Sequence, residues 1–163
     1  MVAVGSRSGQ IELALFFHVL GALLFAGGAI VAGVAFEAAR RRTAPAEVAL
    51  LLGLARSGAA LLGLGGAVVL GFGLWLVELA SVGFGTAWVQ AALGLFATAF
   101  VLGGVGGRGP RRARLLAARL AREDGGENSE LRRLLDDPVS RLVNYVSAAL
   151  VVAILALMIW KPT

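Results

Sequence analysis

Residues 13–36 read LALFFHVLGALLFAGGAIVAGVAF, twenty-four positions without a single Asp, Glu, Lys or Arg. A helix of about 18–20 apolar residues crosses the ~30 Å hydrocarbon core of a bilayer. Three further stretches pass the same test: 57–77, 79–107 and 142–160, with 21, 29 and 19 uncharged residues. Every formal charge of the 163-residue chain is therefore confined to the ends and the connections between these runs. The composition agrees: 58% of residues are hydrophobic and 15% charged, against about 45–50% and 25% in soluble domains. The expected fold class is all-α, a polytopic membrane protein forming one integral domain over residues 1–163. Its four transmembrane helices span about 11–36, 57–79, 86–106 and 139–160, with connections at 37–56 and 107–138.

Local signals set the boundaries. Residues 1–10 are polar and glycine-bearing and read as a disordered lead. The uncharged run after Arg7 is longer than a secretory signal core and is followed by Arg40-Arg41-Arg42, so it reads as an uncleaved first span. Thr43-Ala44-Pro45-Ala46-Glu47 offers a Thr cap, a first-turn proline and an early acid, opening a helix that runs to Glu78. At about 50 Å that helix outruns the bilayer, so its first part lies at or beyond the interface. Ser81-Val82-Gly83-Phe84-Gly85 is a tight turn, and Asp137-Pro138 supplies cap and first-turn proline for the fourth span. Asp124 to Asn128 reads as a linker, and Ser129 to Asp136 as one or two helical turns.

Charge orients the chain. The net charge is +5 and the isoelectric point about 11.2. Thirteen basic residues (Arg40, Arg41, Arg42 and Arg56, then nine arginines from Arg108 to Arg141) border the two long connections, while only Arg7 and Lys161 lie at the other end. By the positive-inside rule both connections are cytoplasmic and both termini outside, N-out/C-out, in a cytoplasmic membrane. Trp75, Trp88 and Trp160 fall together at the outer end, as an aromatic belt does. No basic run is interleaved with aromatics, which argues against a nucleic-acid partner. Instead, Ala113, Leu116, Ala117 and Leu120 form a helical stripe among arginines. This is the pattern of a cytoplasmic amphipathic helix resting on anionic lipid headgroups across Arg111–Arg122.

Small residues recur four apart, as at Gly28/Ala32, Ala29/Gly33, Ala59/Gly63, Ala67/Gly71 and Ala99/Gly103. Such rows let helices approach closely. They serve packing within one chain or, on one remaining face, a homodimer.

The absence of cysteine excludes disulfides, thiolate metal sites and Cys nucleophiles. No hydrolase, phosphate-loop or nucleotide motif is present, and nothing points to catalysis. The polar residues inside the spans are few. His18, the one histidine, lies roughly 10 Å below the outer end of span one. It is either a haem ligand or an imidazole hydrogen-bonded across helices, with Gln90 of span three as expected partner. Near the basic end, an Arg141–Glu37 pair and an Asn144 hydrogen bond are expected to lock helices together. Glu12 and Glu78 read as solvated helix ends.

Phe17-His18-Val19-Leu20-Gly21-Ala22 with Phe25-Ala26-Gly27-Gly28, then Gly73-Leu74-Trp75-Leu76, Trp88-Val89-Gln90, and Arg141-Leu142-Val143-Asn144 followed by Lys161-Pro162 together carry a resemblance. The chain is similar to uncharacterised, predicted four-span bacterial integral membrane proteins related to the copper-resistance CopD and HemJ-type protoporphyrinogen oxidase families. The HemJ-type likeness implies haem at the first-helix histidine, which is His18 here. The lysine that those enzymes carry in the third helix falls at Ala92, a departure that weighs against oxidase activity. The leading expectation is an accessory or self-associating helix bundle without assigned chemistry. The alternative is a haem-binding redox protein using His18, with two copies supplying bis-histidine ligation across a twofold axis. A transporter subunit is disfavoured by the lack of buried acids and internal repeats.

Overall fold

The computed structural model describes residues 2–123 and 128–160. Six helices follow one another: α1 (Val2–Arg40), α2 (Pro45–Leu79), α3 (Ala87–Gly106), α4 (Arg108–Arg122), α5 (Ser129–Leu135) and α6 (Pro138–Trp160). No strand occurs among the described residues, and four helical segments are long and apolar enough to span a membrane. Helix α2 runs from the expected first-turn proline to the residue after Glu78.

At 39 and 35 residues, α1 and α2 measure about 58 and 52 Å, so both overshoot a ~30 Å hydrocarbon core by several turns. They lie side by side along their length in an antiparallel pair, joined by the short connection 41–44. The overshoot corrects one expectation: residues 2–10 belong to α1 rather than to a disordered lead. Arg7 shows what this segment does. Its guanidinium donates to the carbonyl of Leu79 (3.0 Å) and to Ser81 Oγ (3.2 Å), placing a cation on the carbonyl end of α2. That end closes with Ser81 in the left-handed region (φ 56°), its amide bonded to the Glu78 carbonyl and the Val82 amide to that of Val77. These paired bonds make a Schellman stop, with serine where glycine is usual.

Other caps divide. Asp137 caps α6 as expected, accepting from the amide (3.0 Å) and hydroxyl (2.8 Å) of Ser140. Thr43 does not cap α2: Ala44 holds that position without a side-chain bond, and Pro45 supplies the preset φ. Asn128 begins a helix as well as ending a linker, for its Oδ1 accepts from the Glu130 and Leu131 amides and starts α5. The remainder of the expected linker, 124–127, and the Lys161-Pro162 ending lie outside the described residues.

Two apolar cores result. The first lies between the spans: Phe25, Val69, Phe96, Val151 and Ile154, one or two from each of α1, α2, α3 and α6. The second sits at the arginine-rich end, where Phe36, Ala39, Val48 and Leu52 of the projecting α1 and α2 meet Ala113 and Ala117 of α4 and Leu131 and Leu135 of α5. This second core corrects the reading of α4. Its stripe is real, but Ala113 and Ala117 are fully buried and Leu116 and Leu120 pack beside them against protein. Amphipathicity requires that an apolar face be covered, and here α1, α2 and α5 cover it before lipid can. The arginines stay on the outer face.

Candidate functional site

The α1–α2 seam is built backbone to backbone. A Cβ added at Gly28 would collide with the Leu62 amide nitrogen and lie 2.7 Å from the Gly58 carbonyl. One added at Gly58 would collide with the Ala32 amide and lie 2.9 Å from the Gly28 carbonyl. One turn pair further along, Gly21 faces Val68 and Val69, and Gly65 faces Gly21, Leu24 and Phe25. The glycines are spaced by seven in each helix, 21 and 28 against 58 and 65. That is the repeat of helices that stay in register along a left-handed crossing. Reading the sequence for four-residue spacings found Gly28/Ala32 but missed this heptad pairing, whose signal was the matching interval in two helices joined by a short turn.

His18 closes the tryptophan end of the same seam. Its Nδ1 lies 3.0 Å from the Val69 carbonyl. A carbonyl only accepts, so Nδ1 carries the proton, which leaves Nε2 with the lone pair in the neutral ring. Gly73 faces the same edge of the ring: a Cβ there would lie 3.0 Å from Cε1 and 3.1 Å from Nδ1. Beside it Phe17 stacks on Phe72 with centroids 4.8 Å apart, and Phe72 leans on Trp75. Gln90, the expected partner, is exposed on α3. The imidazole thus ties α1 to a backbone carbonyl of α2, a partner with no side-chain signature in the sequence.

The ring is half-buried between α1 and α2, close to Gly73, with Nδ1 committed to Val69, which leaves Nε2 as the nitrogen able to meet a further partner. No group of three or more His, Cys, Asp or Glu positioned to hold a metal ion occurs among the described residues.

At the arginine-rich end the expected pairs are redistributed. Glu37 meets Arg40 (3.0 Å) and Arg41 (3.7 Å) on its own helix, while Arg141 is exposed on α6. Asn144 is half-buried, and its amide faces Gly33 of α1, where a Cβ would stand 3.5 Å from Oδ1. Arg40 is the residue sequence reading passed over. With 11% of its side chain exposed, it bonds the Leu135 carbonyl (2.8 Å), Glu37 and Asp136 (3.0 Å each). Arg132 returns the arrangement by donating to the Arg40 carbonyl at 2.9 Å. Each arginine therefore occupies the carbonyl end of the other's helix, a favourable place for a cation, and together they clamp α5 onto α1. Arg40 stands in a triplet read only as charge that orients the chain, and its neighbour across the fold distinguishes it from Arg41 and Arg42.

A further surface remains on α2. Ala59, Gly63, Ala67 and Gly71, spaced by four, turn away from α1, and neither Gly63 nor Gly71 has any atom within 4 Å of an added Cβ. Gly58 and Gly65 serve the internal seam; this row serves none.

Residues 12–162, nearly the whole chain, match the family described as Predicted integral membrane protein (DUF2269). The chain belongs to that DUF2269 family. Its four long apolar helices are what the family description calls for, and the description assigns no activity to its members. No curated protein and no solved structure matches the chain.

Proposed function

We propose that this DUF2269 protein is an accessory, self-associating helix bundle of the cytoplasmic membrane, with both termini outside and the α4–α5 cap in the cytoplasm. The observation that carries the reading is the division of labour in α2. One small-residue row is consumed by α1, and a second, Ala59-Gly63-Ala67-Gly71, faces outward along the membrane-spanning part of the helix. Between helices in lipid, close backbone approach is the main source of attraction, so an open row of this kind suits a second copy. The orientation is supported by the thirteen-to-two partition of basic residues and by the three tryptophans at the opposite end. The outward arginines of α4 add charge attraction to anionic headgroups without inserting its apolar face.

Energy transfer between donor- and acceptor-labelled chains in phosphatidylcholine–phosphatidylglycerol vesicles tests the reading. Transfer above the level of random mixing is expected for the parent protein, and its loss in Gly63→Leu/Gly71→Leu. Transfer that never exceeds random mixing removes self-association.

A further inference from the structure

A cleft of about 730 Å³ opens where α4, α5 and the start of α6 meet. Arg108 and Arg112 of α4 and Arg133 of α5 line it, all exposed and none in an ion pair among the described residues. Three carboxylates share the cleft, but two are committed: Asp136 is paired with Arg40, and Asp137 caps α6 through Ser140. That leaves three guanidiniums against Glu130 alone.

The level of the cleft matters as much as its charge. The uncharged run of α3 ends at Gly107 and that of α6 begins at Leu142, so the cleft lies where both helices leave the hydrocarbon. Immediately on the membrane side, Val139 and Leu142 expose 59% and 64% of their surface. The junction itself is held tightly. Gly109 lets α4 start against buried Ser140, and Gly106 lets α3 end against Val143; a Cβ at either would collide with those side chains. The cleft is therefore fixed in shape rather than a splay of loose arginines. We infer that it is a discrete site for one anionic phospholipid, its phosphate held by Arg108, Arg112 and Arg133 and its acyl chains along the exposed start of α6. Guanidinium groups pair with phosphate through parallel charge-assisted bonds, and basic pockets between spans at this level hold anionic headgroups. A free phosphate would use the arginines but leave the adjoining apolar wall unexplained. The site belongs to a single chain and stands whether or not the protein self-associates.

Native mass spectrometry of the delipidated full-length protein, titrated with dioleoyl phosphatidylglycerol, reads the site directly. One saturable lipid per chain is expected, with dioleoyl phosphatidylcholine bound more weakly. Arg108→Gln/Arg112→Gln/Arg133→Gln is expected to weaken phosphatidylglycerol by about tenfold or more. The same charge removed outside the cleft, Arg111→Gln/Arg114→Gln/Arg122→Gln, is expected to change it by less than about twofold. Triple lysine replacement in the cleft keeps the charge, and binding that persists there separates lost contacts from lost folding. Equal loss in the two glutamine variants overturns the inference in favour of diffuse attraction. Equal binding of phosphatidylcholine overturns it as well, and displacement of the lipid by inorganic phosphate assigns the cleft to a free anion instead.

Discussion

Gly28→Ala puts the internal seam under the most direct stress. The added methyl would collide with the Leu62 amide nitrogen and stand 2.7 Å from the Gly58 carbonyl and 2.9 Å from the Leu62 Cα, all backbone atoms that cannot rotate away. Ordinary contact begins near 3.4 Å, so α1 and α2 must separate locally by roughly 1 Å. A gap of that size forfeits about a quarter to a half of the dispersion attraction of each contact it opens, and overpacking typically costs about 1–3 kcal/mol. A loss of about 2 kcal/mol is expected. Gly27→Ala, one residue away on the same helix but with nothing within 4 Å, is the matched control and is expected to be neutral within about 0.5 kcal/mol. Reversible unfolding in mixed micelles, followed by tryptophan fluorescence, measures both. Gly58→Ala acts on the same crossing, so the Gly28→Ala/Gly58→Ala double variant should lose less than the sum of the singles, because the helices part only once. Equal stability of Gly28→Ala and Gly27→Ala would refute the backbone-to-backbone seam.

Three further predictions concern the polar groups. Replacing Arg40 with Gln leaves the Leu135 carbonyl and Asp136 without their partner and is expected to cost about 2–4 kcal/mol. The visible effect is faster trypsin cleavage between 108 and 133 while the spans stay protected; unchanged cleavage would remove the clamp. The hydrogen bonds from the Ser140 hydroxyl and amide hold the Asp137 carboxyl below the ordinary carboxylate range. Its contribution is therefore present above the unfolded pKa and disappears as pH falls through the lowered folded value. Amide exchange at Val139 and Ser140 should stay slow at pH 5 and accelerate only below about pH 4, whereas Asp137→Asn should show no such step. His18→Ala is expected to cost about 0.5–1.5 kcal/mol, the range of hydrogen bonds between helices in lipid. Unchanged stability would remove the tie to Val69, whereas a Soret band that His18→Ala abolishes would assign the lone pair on Nε2 to haem.

The spans were legible because charge cannot be hidden in hydrocarbon: the absence of Asp, Glu, Lys and Arg from four runs leaves few alternatives. Asp137-Pro138 and Pro45 were legible because cap chemistry is local. The partners of these elements were not. The stripe Ala113-Leu116-Ala117-Leu120 announces that a face is covered, but the same stripe suits lipid or protein, and the choice depends on how far α1 and α2 project. Likewise α2 carries two small-residue rows, and with 23 glycines in the chain nothing local says which row faces α1. The bond from His18 to Val69 and that from Arg40 to Leu135 both end on backbone carbonyls, which every residue possesses. Side-chain chemistry therefore pointed to Gln90 and to Arg141 instead.

Self-association through the outer face of α2 is tested most directly by cysteine cross-linking in native membranes, in a protein whose sequence has no cysteine. A disulfide requires Cα atoms within about 4.4–6.8 Å, a distance reached between copies only when small residues lie at the crossing. Ala67→Cys should give a covalent dimer on mild oxidation, and Leu50→Cys, on the exposed projecting part of the same helix, should remain monomeric. Ala67→Cys that stays monomeric under the same oxidation would contradict the proposed interface.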